Sequence, residues 1–228
     1  MSRSNARRWS QLGGVALALA LTLGAGPSSG VRIDDWDAHP PGPLELSGPW
    51  RAYPPSVAPR AFKHPPAIVL DGGRPVLHLA TDGEPMRLGR ELKIDLTRTP
   101  WLVWEWKPLR LPDGGDVRIR RRNDQAARVM LVFEGMKGIL YIWDSTAPVG
   151  VEEGPESLEL FQRVLIVVRS GADGVGQWHR ERRDVEKDFR RVVGTDPPPI
   201  KFVGVESHSN DTGSESAAMF GRIYFEPR

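Results

Sequence analysis

The chain has 228 residues, 39% of them hydrophobic, and carries 31 Lys and Arg against 29 Asp and Glu, with no cysteine. The absence of cysteine excludes disulfides, thiolate metal sites, a lipoprotein anchor and a cysteine nucleophile. The near balance of charge gives no global cationic excess pointing to nucleic acid, and the one dense basic run, Arg118–Arg122, reads as a solvated loop or strand end.

The N-terminus carries Arg3, Arg7 and Arg8 and no acid; Leu12 to Leu23 is then an uncharged run that breaks into small residues around Gly24–Gly30. A basic stretch, a short apolar run and a small-residue exit form the secretory pattern. It predicts a signal peptide over 1–26, a periplasmic or secreted product, and no membrane association after cleavage. An uncleaved anchor is the other reading, although a spanning helix needs roughly 20 apolar residues. Cleavage removes three of the 31 basic residues and none of the 29 acids, leaving a net charge of −1.

Ten of the 21 prolines fall between Pro27 and Pro66. Proline fixes φ and lacks a donor, so residues 27–66 read as an extended arm, with Leu44–Leu46 and Trp50–Tyr53 able to dock on the core. From 67 to 228 the pattern is apolar alternation broken by turn residues. Strands are predicted over Pro75–Ala80, Met86–Leu96, Trp101–Leu109, Ala127–Phe133, Ile139–Trp143, Phe161–Arg169, Gln177–Arg183, Ile200–Ser207 and Ala217–Phe225. One helix is predicted over Asp184–Val193, with Val185, Phe189, Val192 and Val193 on one stripe, Asp184 as N-cap and Gly194 beyond its end. This is an all-β chain: a two-sheet antiparallel sandwich of jelly-roll type, with a Greek-key barrel as the alternative.

Period-2 alternation sorts the strands into faces. Leu102, Trp104 and Trp106 share one face, and Val103, Glu105 and Lys107 the other. Val129, Leu131 and Phe133 oppose Arg128, Met130, Val132 and Glu134. The apolar sets predict the inter-sheet core. The mixed face admits two readings: cross-strand ion pairs, or a groove holding a polar ligand such as a glycan. Tyr141 and Trp143 share a face and read either as core or as an aromatic platform. Glycoside hydrolysis needs two carboxylates about 5–9 Å apart, for which Glu105 with Glu134 or Asp144 is the pair to test.

Glu206, His208, Asn210, Asp211 and Glu215 crowd the segment before the last strand. Glu206, Asn210, Asp211 and Glu215 offer hard oxygen ligands for Ca²⁺, though not at EF-hand spacing. No other cofactor is expected, and no nucleophile elbow, zinc helix, P-loop or dinucleotide fingerprint occurs.

Taken in order, Trp101–Lys107, Asn123–Val129, Leu140–Trp143 and the tail Asp211–Gly213 with Phe220–Ile223 resemble an uncharacterised family of bacterial exported proteins, domain of unknown function 3047. The resemblance spans Pro75 to Phe225 and implies a secreted or periplasmic β-sandwich without an assigned activity. It singles out Asn123, Asp124 and Arg128. Asp124 is suited to cap the turn entering the strand and Arg128 to pair with Glu105. The leading expectation is a non-catalytic domain binding a carbohydrate or other polar ligand through Glu105, Asp124, Arg128, Glu134, Tyr141, Trp143 and Asp144. The alternatives are a glycan-active hydrolase or lyase and a structural envelope protein.

Overall fold

The structure, a computed structural model, describes residues 30–53, 62–158 and 161–228. The expected signal peptide, 1–26, lies outside the described residues. Among those described, no helix is long and apolar enough to cross a membrane. The strands are β1 (Val31–Arg32), β2 (Gly42–Pro43), β3 (Arg51–Ala52), β4 (Ala67–Asp71), β5 (Arg74–Asp82), β6 (Pro85–Ile94) and β7 (Trp101–Arg110). They continue as β8 (Ala127–Phe133), β9 (Lys137–Asp144), β10 (Glu152–Leu158), β11 (Phe161–Ser170), β12 (His179–Asp184), β13 (Ile200–His208) and β14 (Glu215–Glu226). One helix, α1 (Val185–Val193), lies between β12 and β13.

The first sheet runs β12-β7-β14-β5-β4-β2, with β1 also on β14; the second runs β10-β11-β9-β8-β13-β6-β3. All neighbours are antiparallel except β9 and β11. The chain crosses repeatedly between two open sheets, a jelly-roll-like sandwich rather than a barrel.

Alternation creates the core. Leu102, Trp104 and Trp106 of β7 face Val129, Leu131 and Phe133 of β8 and Ile139, Tyr141 and Trp143 of β9, all fully buried. Trp104 stacks on Tyr141 at 5.1 Å and Trp106 meets Trp143 edge-on at 6.0 Å. Large aromatic side chains bury more surface than any others, so this layer dominates the packing. Helix α1 seals one end, pressing Phe189 to 4.4 Å from Phe133. Its caps follow the sequence: Asp184 accepts the Lys187 N–H, and Gly194, at φ +79°, takes the left-handed conformation that glycine adopts without strain.

The Pro-rich arm is built into both sheets. β14 pairs with β5 over residues 215–220 and with β1 over 224–225, so β1 continues the lane that β5 leaves. β2 and β3 close an edge of each sheet, the positions where proline and short strands are tolerated. Trp36 and Trp50 anchor the arm, their rings tilted by 36° with centroids 4.6 Å apart and their indole N–H groups donating to Gly221 O and to Asp35.

Candidate functional site

Strand β8 is buried along its whole length, on both faces. Its inner residues enter the core. Its outer residues, Arg128, Met130 and Val132, lie on the far face of the second sheet, which loops around Val117, Ala147 and Val151 partly cover. Register places a row of charged groups across that face. Arg87 of β6 lies opposite Glu206 of β13, and Glu206 opposite Arg128 of β8.

Glu206 Oε2 stands 3.4 Å from Arg128 Nη1 and 3.8 Å from Arg87 Nε, with His208 Nε2 at 3.2 Å. Arg128 also donates from Nη2 to Asn123 O at 2.5 Å and to its Oδ1 at 3.3 Å. Burial would raise the Glu206 carboxyl, but its contact with His208 and the two guanidinium charges outweigh it and hold the group well below the usual range. Burial lowers Arg128 to about 10, partly opposed by Glu206. Burial, with repulsion from Arg128 and Arg87, pushes His208 down to about 3. The imidazole is therefore neutral at pH 7. Its Nε2 serves one contact at a time, accepting from Arg87 Nε at 3.0 Å or, in the other tautomer, donating to Glu206.

Asp124, fully buried beside this row, caps the turn after β13. Its Oδ2 accepts from the N–H groups of Asp211 and Thr212 and from the Thr212 hydroxyl. Its Oδ1, Gln125 Oε1 and Arg128 Nε are buried and have no hydrogen-bond partner.

Next to the charged row runs a groove of about 470 Å³, lined by Arg51, Tyr53, Gly89, Glu91, Val132, Lys201 and Phe202 among others. Gly89 and Gly204 face each other on β6 and β13. A Cβ at residue 89 would stand 1.9 Å from the Phe202 ring, so the glycine exists to seat that ring. Tyr53 packs on Phe202 at 4.5 Å, completing an aromatic floor.

Residues 64–224 match the family described as protein of unknown function (DUF3047). The chain belongs to that family. No curated protein matches it. Among solved structures, it is similar to the xyloglucanase domain of NopAA, a type three effector from Sinorhizobium fredii, in complex with cellobiose. The identity is 11% and the TM-score 0.46, over 83% of this chain and 97% of that one.

In this DUF3047 domain the expected site residues do not form one constellation. Glu105 lies on the outer face of the first sheet, paired with Arg74, and not with Arg128, which occupies the outer face of the second. The expected Arg128–Glu105 pair is thus corrected: the core separates them. Tyr141 and Trp143 are core residues whose rings pack on Trp104 and Trp106, and the platform reading is corrected with them. The Tyr141 hydroxyl donates to Asp188 of α1 at 2.9 Å. Glu134 is exposed in the β8–β9 turn. Asp144 is buried and spent on four donors: the Val117, Thr146 and Ala147 N–H groups and the Gln125 amide. Glu105 with Glu134 or Asp144 is therefore not an assembled pair.

The segment expected to hold calcium is divided. Glu206 belongs to β13 and faces the arginines, Glu215 pairs with Arg110, and Asn210 donates to Asp211. Among the described residues, no group of three or more His, Asp or Glu is arranged to hold a metal ion. Sequence reasoning did not find Arg87, Tyr53 and Phe202. Phe202, Gly204, Glu206 and His208 do share a face at period 2, a signal the turn-rich context of Glu206–Glu215 obscured.

Proposed function

We propose that the protein is an exported, periplasmic or secreted, non-catalytic domain that lays a carbohydrate chain along the outer face of its second sheet. The observation that carries this reading is the groove with the Tyr53–Phe202 floor. Pyranose rings present a C–H face that packs on aromatic rings and hydroxyls that need charged or amide partners, which Arg51, Glu91 and Lys201 supply at the rim. The outer face of the first sheet carries a groove of about 670 Å³ lined by Arg32, Asp34, Arg222, Tyr224 and Glu226, but no pair of packed aromatic rings floors it. There Arg74 covers Trp178 at 4.6 Å and Arg182 covers Trp101 at 3.7 Å, so the ring faces are already occupied.

Non-catalytic binding also fits the state of Glu206. A glycosidase acid must hold a proton near neutral pH, and Glu206 is kept ionised. Hydrolysis is the second reading, favoured by one neighbouring pair. Packing around Asp211 and the nearby Asp124 carboxylate push the Asp211 carboxyl up, while Asp124 accepts three donors.

A glycan array probed with the mature protein tests the first reading. Specific hits are expected, with Tyr53→Ala weakening them about tenfold or more at a temperature where the variant is still folded. An array without hits, or hits indifferent to Tyr53→Ala, would overturn it. Release of new reducing ends from a hit, lost in Asp211→Asn, would establish the hydrolase.

A further inference from the structure

Resting on that groove reading, we infer that the ligand is acidic: a polysaccharide bearing carboxylate or sulfate groups, with an anionic group received at Arg87. The groove cations are not neutralised from within. Arg51 Nε donates to Gly48 O at 3.4 Å and Lys201 Nζ to Met136 Sδ at 3.1 Å, and among the described residues neither is ion-paired. Glu91 is the one carboxylate lining the groove against them.

Arg87 lies two residues before the groove residue Gly89 on β6. It shares that residue's face, and its carbonyl receives the Tyr53 N–H at 3.0 Å. Its side chain is 32% exposed, while Glu206 and Arg128 beneath are 1% exposed. In this row Arg87 and Arg128 share the Glu206 carboxylate, and the buried Asp124 carboxylate also acts on Arg128. His208 is neutral and adds no counter-charge, and Asp124 turns its hydrogen-bonded oxygen to residues 211–212. The buried Nε of Arg128 has no acceptor. Arg87 is the guanidinium of the row that solvent reaches, 3.8 Å from its shared carboxylate, so its exposed side remains open to an anion. Guanidinium groups bind carboxylate and sulfate oxygens through paired N–H donors, which suits either source.

Polygalacturonate supplies the carboxylate, dextran sulfate the sulfate and unmodified dextran the neutral control, with neutral array hits as a further arm. Either polyanion is expected to bind the mature protein about tenfold or more tighter than any neutral glycan at ~0.05 M salt, weakening as salt rises. Arg51→Gln and Lys201→Gln, both exposed, should each weaken polyanion binding about threefold and flatten its salt dependence. Tyr53→Ala should abolish it. Arg87→Gln should remove the preference for the polyanion, with its melting temperature recorded alongside. A neutral glycan that binds as tightly, and needs Tyr53, overturns the acidic-ligand inference but leaves the groove reading intact. Polyanion binding that survives Tyr53→Ala is charge attraction outside the groove and overturns the inference as well. No binding by any of these, with a blank array, removes the groove reading itself.

Discussion

Arg128 and Glu206 lie directly opposite each other on β8 and β13, their Nη1 and Oε2 atoms 3.4 Å apart and each side chain only 1% exposed. They are 78 residues apart in the chain. Two desolvated charges are maintained only while both remain, because removing one leaves the other without compensation in a medium of low dielectric.

Glu206→Gln should therefore cost about 3–5 kcal/mol in denaturant unfolding. Replacing Arg128 and Glu206 together by Met and Leu should cost much less than the sum of the single changes, since it removes the desolvation penalty along with the pair. Additive single costs would show that Arg128 and Glu206 do not act on each other.

The same row sets the acid limit of stability. His208 is pushed down to about 3 in the folded protein from an ordinary 6.5. The unfolded chain thus binds the proton first as pH falls, and stability should drop from about pH 6.5 downward, by roughly 1.4 kcal/mol per unit where only the unfolded state is protonated. Glu206 adds a loss of the same sign below its ordinary 4.5, since its folded value is depressed and its stabilising charge disappears only on protonation. Melting curves between pH 7 and pH 5 report the histidines that burial lowers, His208 and also His78. His208→Asn should flatten the slope in that window. An unchanged slope would assign the acid sensitivity elsewhere.

Much of the fold is legible in the chain. β8 has the bounds that its alternation predicts, and α1 begins after Asp184 and ends before Gly194. β1, β2 and β3 escaped because two-residue strands carry no period, and their pairing partners decide their existence. The site was less legible for a topological reason. Alternation assigns Glu105 and Arg128 each to a polar face, but a sandwich has two such faces, and only strand order shows that they point in opposite directions. The juxtapositions that matter, Arg87 with Glu206 and Gly89 with Gly204, are set by register between distant strands. Tyr53 could not be found from its proline-rich surroundings, because its partner Phe202 enters from β13.

Tyr141 tests the corrected assignment of the aromatic residues. Its ring fills the core and its hydroxyl reaches Asp188, which Arg183 and Arg191 also hold. Tyr141→Phe should cost about 1 kcal/mol, because Asp188 keeps its two guanidinium partners. Tyr141→Ala should cost about 3–5 kcal/mol through the cavity left beside Trp104. Under conditions where the Phe variant is folded, its glycan binding should match that of the unaltered chain. A selective loss of binding in Tyr141→Phe would return this residue to the ligand site.

Calcium should leave the melting temperature unchanged. The ion takes six to eight oxygens at 2.3–2.6 Å, and a segment holding Glu206, Asn210, Asp211 and Glu215 presents the right atom types in sequence. The fold distributes them differently. Glu206 points into the second sheet's outer face, where Arg87 and Arg128 compete with any cation, and Glu215 is engaged by Arg110. Asn210 turns its amide nitrogen, not its oxygen, toward the Asp211 carboxylate at 2.7 Å. Recruiting Glu215 would mean breaking its pair with Arg110, and recruiting Glu206 would leave Arg128 uncompensated. Extracellular calcium modules bind at about 10⁻⁴–10⁻³ M, so melting at ~5 mM CaCl₂ against EGTA would reveal such a site as a rise in apparent stability. A rise of several degrees, lost in Asp211→Asn, would show that the turn rearranges around the ion at the expense of the Arg110–Glu215 pair.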